Sequence, residues 1–183
     1  MSKLLEILRN DHVNMTRLLD ALERQLAVFD AGARPDYDFI AGLLQYCRGF
    51  PDRYHHPRED LIVGAMQRRA PAAAREIAAL AREHERLSAL TERFADAVEQ
   101  VLQDQEMPRG RFDGLAREFI EFYRRHLTWE EETVFPRAET VLTESDWRAV
   151  DARIAAPDDP LFGGIEEERF RALRRALLES DAD

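Results

Sequence analysis

Apolar residues recur at three- and four-residue intervals along four long stretches of the chain, the period of helices that bury one face. The first stretch runs from about Lys3 to Asp30, with Leu5, Leu8, Met15, Leu19, Leu22 and Leu26 on its stripe. Gly32 and Pro35 end it. The second runs from about Tyr37 to Arg69 and carries Ile40, Leu43, Leu44, Cys47, Phe50, Tyr54, Ile62 and Met66. Pro51 and Pro57 lie inside it. Each removes a backbone donor, so kinks or a short break are expected there. Pro71 introduces a third helix, about Ala72 to Gln105, with Ile77, Leu80, Leu87, Leu90, Phe94, Val98 and Val101. A fourth, about Arg109 to Val141, carries Phe112, Leu115, Phe119, Phe122 and Val134, and Pro136 is expected to bend its last turn.

Beyond these stretches, Thr143 to Asp146 reads as a capping box that opens a short fifth helix through Trp147 and Ile154. A Pro- and Gly-containing linker follows, and Ile165 to Leu178 is a last amphipathic segment. The connections near Gly32, Pro71 and Pro108 are short. Four long helices so joined pack most simply as an antiparallel up-down-up-down bundle. The expected fold class is therefore all-α: a four-helix bundle over residues 1–142, and a helical extension over residues 143–183 packed on it.

Composition removes several classes of function. The chain has 183 residues, enough for one domain with a real core. A net charge of −10 argues against a nucleic-acid binder, which needs a basic surface. No run approaches the ~18 apolar residues of a membrane span. The start, MSKLLEILRN, has no signal-peptide pattern. Cys47 is the single cysteine, so no disulfide framework exists. A cytoplasmic location is the expectation. Lys3 is the lone lysine among 26 basic side chains, a bias that suits a GC-rich bacterial genome.

Against that plain background the histidines stand out. Four of the five, His12, His55, His84 and His126, fall in apolar stripes, one on each long helix. In an up-down-up-down bundle their positions along the helices correspond to similar heights. Two have a glutamate four residues on, His55…Glu59 and His126…Glu130, and residues four apart share a helix face. A carboxylate facing a core is costly unless it is paired or holds a metal. Carboxylate with imidazole suits iron or manganese, and without further cysteine the set does not suit iron–sulfur or cysteine-type zinc sites. A lone histidine on such a face is more often a core residue, so the joint pattern carries the argument. Two registers stay open. His56 with Asp60 competes with the favoured His55/Glu59 pair, and Glu131 or Glu132 competes with Glu130. His56 points about 100° away from His55 around an ideal helix and is read as a packing or supporting residue. Tyr54 and Tyr123 are read as possible supporting donors near the site.

The stretches DHVNM, YHHPREDLI, REHERL and HLTWEEETVFPRA, in that order, resemble the hemerythrin-like family of HHE cation-binding domains. The resemblance covers about residues 1–142. It implies a four-helix bundle with two non-haem iron ions, oxo- or carboxylate-bridged, that meets O2 or a related small ligand such as peroxide or nitric oxide. Carried over by position, the ligands are His12, His55, Glu59, His84, His126 and Glu130. The chain departs from the oxygen carriers of that family in two ways. They place two histidines four apart on the third helix, where this chain has Leu80 and Ser88 on either side of His84. They also space the last carboxylate five from its histidine, which here selects Glu131. Fewer protein nitrogens would leave open positions and favour exchangeable small-molecule chemistry over simple oxygen carriage. The functions expected are a di-iron binder or sensor, then a di-iron peroxidase, oxidase or nitric-oxide-handling enzyme, then a metal-free interaction bundle. The acidic C-terminal segment, with 8 acids and 4 arginines from Asp158 on, is a candidate contact for a protein partner.

Overall fold

The computed structural model describes residues 2–153, 159–163 and 170–180. Helix α1 spans Lys3–Asp30. The Ser2 side chain caps it by accepting the Leu4 N–H at 3.1 Å. It ends in a Schellman motif: the Ala33 N–H reaches the Val28 carbonyl at 3.1 Å and the Gly32 N–H reaches Phe29 at 2.9 Å. That geometry needs a left-handed residue, and Gly32 supplies it at φ 81°. Helix α2, Tyr37–Gly49, starts on the Asp36 carboxylate, which accepts the Phe39 N–H at 2.9 Å.

The kink expected in the second stretch takes a specific form. Residues Pro51–His55 make one π-helical turn, and α3 continues at once as His56–Arg69. The fourth stretch does the same: α6 is Arg109–Trp129, Glu130–Val134 is a π-turn, and α7 is Phe135–Val141. Each π-turn comes just before a proline, Pro57 or Pro136. A proline cannot donate to the carbonyl four residues back, and its ring clashes there in a tight helix. Widening the turn by one residue relieves both problems while the chain keeps its direction.

The third stretch is not one helix. Pro71–Glu76 forms a short α4, residues 77–79 are turns, and α5 runs Leu80–Leu102. Ile77 is fully buried among Leu4, Leu5, Leu8 and Leu80. Sinking that side chain takes the backbone off the helical path. His84 therefore lies about one turn into α5. The capping box at Thr143 and Asp146 is present and opens α8, Glu144–Asp151. Ile154, most of the linker and the start of the last amphipathic segment lie outside the described residues. Helix α9 is Arg171–Ser180.

Among the described residues the architecture is all-α, with α1 against α2 and α6, and α5 against α2 and α6. Helix α8 packs on α1 and α3, where Asp151 accepts a hydrogen bond from the Ser2 hydroxyl at 2.7 Å. Helix α9 packs on α2 and α1, burying Leu173 and Leu177. The apolar core falls into two clusters. One contains Met15, Phe50, Leu87 and Leu127; the other contains Leu8, Ile62, Leu80 and Val134. Along each long helix the polar residues of interest lie between a member of one cluster and a member of the other. Among the described residues, the bundle thus holds a buried polar layer between two apolar clusters.

Candidate metal centre

That layer is made of histidine and carboxylate. His12 comes from the middle of α1, His55 from the end of the first π-turn, and His56 and Glu59 from the start of α3. His84 comes from α5, His126 from the end of α6, and Glu130 opens the second π-turn. All seven are buried, with Glu130 fully so and Glu59 1% exposed. The six ligand candidates named from sequence converge on one point, and His56 joins them.

The distances sort the donors into two sets. His12 Nε2 and His55 Nε2 lie 3.1 Å apart. His56, His84 and His126 form the second group, with the His56 and His84 rings stacked at 4.1 Å and the His84 and His126 rings edge-on at 5.1 Å. The two glutamates stand between the groups. Glu59 Oε1 is 3.4 Å from His55 Nε2 and 3.7 Å from His12 Nε2, while Oε2 is 3.2 Å from His84 Nε2. Glu130 Oε2 is 3.3 Å from His12 Nε2, while Oε1 is 3.1 Å from His126 Nε2 and 3.4 Å from His84 Nε2. Each carboxylate therefore offers one oxygen to each histidine set, the arrangement of a bridging ligand.

Three histidines carry a second carboxylate behind the ring. Glu131 Oε1 is 2.8 Å from His12 Nδ1, Asp11 Oδ2 is 3.0 Å from His55 Nδ1, and Asp52 Oδ1 is 3.3 Å from His56 Nδ1. A carboxylate at Nδ1 holds the proton there and leaves the Nε2 lone pair facing inward. The open registers take a definite form in the structure. Glu130 lies between the histidines, and Glu131 lies on the outer side of His12 beside Arg9. Asp60 is exposed and does not pair with His56, which meets Asp52 four residues earlier instead. Of the two tyrosines, Tyr54 is 39% exposed, and Tyr123 donates its hydroxyl to Met15 Sδ at 3.4 Å.

The electrostatics are those of anions packed with bases. Burial opposes charge on His84, but bonds to Glu130 and Glu59 outweigh it and raise its pKa to about 9. His12 is raised well above the usual value against the same burial, by Glu130, Glu131 and Glu59. Burial, helped by the neighbouring imidazoles, wins at His126, pushed down to about 4, and lowers His56 as well. Burial would raise Glu59, yet His55, His12 and His84 hold it well below the carboxylate range. Both oxygens of Glu59, Oε2 of Glu130, Nε2 of His126 and Nε2 of His56 are buried with no hydrogen-bond partner. Uncompensated donors of that kind are expensive. A bound metal cation would satisfy such groups, so the residues present fit a metal site.

A groove of about 620 Å³ reaches the outer edge of the layer between α1 and α6. Arg9, His12, Val13, Leu127, Thr128 and Glu131 are among its walls. No described helix is long and apolar enough to cross a membrane.

Asp11 and Asp52 are not among the residues named from the sequence. Asp52 leaves a signal there, since it stands four residues before His56. Asp11 had none, because its partner is on another helix.

No curated protein and no solved structure matches the chain. The family model described as the hemerythrin HHE cation-binding domain matches residues 3–138, the span that contains every residue of the buried polar layer. The chain belongs to the hemerythrin HHE cation-binding domain family.

Proposed function

We propose that this protein is a non-haem di-iron protein that binds or senses O2 or a related small molecule, peroxide or nitric oxide, in a reducing cytoplasm. The observation that carries this reading is the division of each glutamate between two histidine sets. One cation would sit with His12 and His55, the other with His84 and His126, and Glu59 and Glu130 would span both. Iron bound there supplies reversible electron transfer and coordination positions for a small ligand. Imidazole and carboxylate donors suit iron over softer metals, which prefer thiolate, and the lone Cys47 is buried away in the apolar core.

The chain's own residues do the rest. Glu131, Asp11 and Asp52 hold the Nδ1 protons and so fix the aim of three rings. The two apolar clusters keep bulk water off the donors. The groove beside His12 gives a small molecule its approach. That groove also favours a second reading, an enzyme that turns over peroxide or nitric oxide, because the carboxylate of Glu131 stands in its wall, 34% exposed and bonded to His12.

Protein loaded with ferrous iron under anaerobic conditions, then exposed to air, tests the reading. About two irons per chain with charge-transfer bands in the visible spectrum support it. A stable adduct favours binding or sensing, and catalytic loss of added peroxide or nitric oxide favours the enzyme. A helical, folded protein without stoichiometric metal overturns both and leaves an interaction bundle.

A further inference from the structure

We propose that Arg9 and Glu131 form a gate over the buried polar layer: Arg9 holds the Glu131 carboxylate across the inner end of the groove beside His12, and release of that carboxylate admits a small ligand. Such a gate rests on the reading above, in which a small molecule reaches metal held in the layer. It adds the part that moves and the residue that restrains it.

The groove between α1 and α6 has a donor of the layer, His12, in its wall. A second groove near the layer, of about 380 Å³, reaches Asp11 and Arg58 but none of the layer's histidines or glutamates. Of the side chains lining the first groove, His12 and Leu127 are the buried ones, at 4% and 6% exposed. Both are fixed. The His12 ring stacks on Phe135 at 5.2 Å and 14°, and Leu127 belongs to the larger apolar cluster. Glu131 is the polar side chain laid over them, with Oε1 2.8 Å from His12 Nδ1. The layer begins directly behind that ring, where Glu130 Oε2 lies 3.3 Å from His12 Nε2.

The carboxylate is restrained from outside as well. Arg9 Nε is 3.4 Å from Glu131 Oε2. The same guanidinium continues to Glu139 on α7, with Nη1 and Nη2 at 3.4 and 3.3 Å from its two oxygens. The Arg9 side chain also lies over the Phe135 ring, 6.0 Å from its centroid. The Arg9, Glu131 and Glu139 side chains are 32%, 34% and 38% exposed. Ion pairs that wet hold weakly, and exposed side chains change rotamer quickly. A weak clasp over a rigid, buried floor keeps the closed state dominant while opening costs little.

A gate has a kinetic signature. It acts on the barrier and not on the bound state, so it changes entry and exit by the same factor and leaves the affinity alone. A residue that merely supports the fold or the donors changes the affinity instead.

The test uses the full chain loaded anaerobically with Fe(II), and nitric oxide as a neutral probe that the charge of Arg9 does not steer. Stopped-flow absorbance gives the association and dissociation rates for wild type, Arg9→Met, Glu139→Gln and Val13→Trp, and circular dichroism checks the fold. Arg9→Met keeps an apolar stem over Phe135 and removes the clasp. Glu139→Gln loosens the outer anchor. Val13, 60% exposed in the groove wall, takes no part in the clasp, and tryptophan there narrows the approach. Arg9→Met and Glu139→Gln are expected to raise both rates about two- to fivefold. Val13→Trp lowers both severalfold, and the affinity stays at the wild-type value in all three. In the metal-free protein, acylation of His12 by diethylpyrocarbonate, read by mass spectrometry, is faster in Arg9→Met. Loss of a nearby cation makes an imidazole more basic and so slows acylation, so the faster rate reports access. Wild-type rates in Arg9→Met and Glu139→Gln, or a change in affinity alone, overturn the gate and leave the metal reading standing. Unchanged rates in Val13→Trp place the entrance elsewhere and overturn the gate too. If wild type holds no stoichiometric iron, or iron that binds no nitric oxide, the metal reading falls and the acylation of His12 decides whether the groove is gated.

Discussion

Asp11 and His55 come from different helices, yet the Asp11 carboxylate lies 3.0 Å from Nδ1 of His55 in a fully buried setting. The same carboxylate oxygen is 3.5 Å from Arg58 Nη1, which helps to hold it in place. A carboxylate behind a ligating imidazole fixes the tautomer and strengthens the inner nitrogen as a donor. Asp11→Asn keeps the shape and removes the charge. Metal affinity is expected to fall about 10–100-fold, measured by competition with a chromophoric chelator. An unchanged affinity would show that His55 is aimed by packing alone.

Glu59 and Glu130 differ from the histidines in what their loss should do. Each histidine faces one set of donors, but each glutamate faces both. On the proposed di-iron reading, Glu130→Ala should abolish firm retention of both irons, whereas His12→Ala should weaken chiefly the one that His12 would share with His55. Metal per chain after gel filtration distinguishes the two. Equal losses for both variants would count against bridging.

The bundle was legible from the sequence because burial on one helical face leaves a period that no other element mimics. The four histidines and two glutamates were legible for the same reason, being polar residues on apolar stripes. The π-turns were not. Pro57 and Pro136 announce that an ordinary turn is impossible, but a kink, a break and a widened turn all answer that constraint. His56 opens α3 directly after the widened turn, where its ring stacks on His84. The break at Ile77 was hidden too, since Ile77 is buried in a cluster that also holds Leu4, Leu5 and Leu8, remote from it in sequence.

Tyr46 tests whether the C-terminal segment is structural. Its hydroxyl donates to Asp159 Oδ2 at 2.8 Å, and Asp159 Oδ1 accepts the Leu161 and Phe162 N–H groups at 2.8 and 3.0 Å. Leu161 beside it is fully buried in the larger apolar cluster. Tyr46→Phe leaves one carboxylate oxygen without its donor, at a cost of about 1–3 kcal/mol. For a chain of this size that is a fall in Tm of roughly 2–4 °C per kcal/mol. Iron content should stay at the wild-type value, because Tyr46 touches no residue of the polar layer. Loss of iron in a folded Tyr46→Phe protein would tie the segment to the site instead.

The last prediction concerns the metal-free protein and pH. His84 is held at about 9 in the fold against an ordinary 6.5, despite its burial, by Glu130 and Glu59. A raised value stabilises the fold fully below pH 6.5, and that contribution is lost as pH rises through 9. His12 and His55 are raised too and act in the same sense. His126, pushed down by burial to about 4, acts oppositely: its contribution is present above pH 6.5 and is lost as pH falls toward 4. Glu59 and Glu130, held below their ordinary 4.5, add to the loss at the acid end. The metal-free Tm should therefore peak near pH 6.5 and decline on both sides. Bound metal takes the place of the protons on His12 and His84, so loading at pH 7 should release protons. The loaded protein should accordingly lose the decline between pH 6.5 and 9. Calorimetry of both forms from pH 4 to 9 reads this directly, and a metal-free Tm that keeps rising to pH 9 would show that the buried imidazoles are not charged by their glutamates.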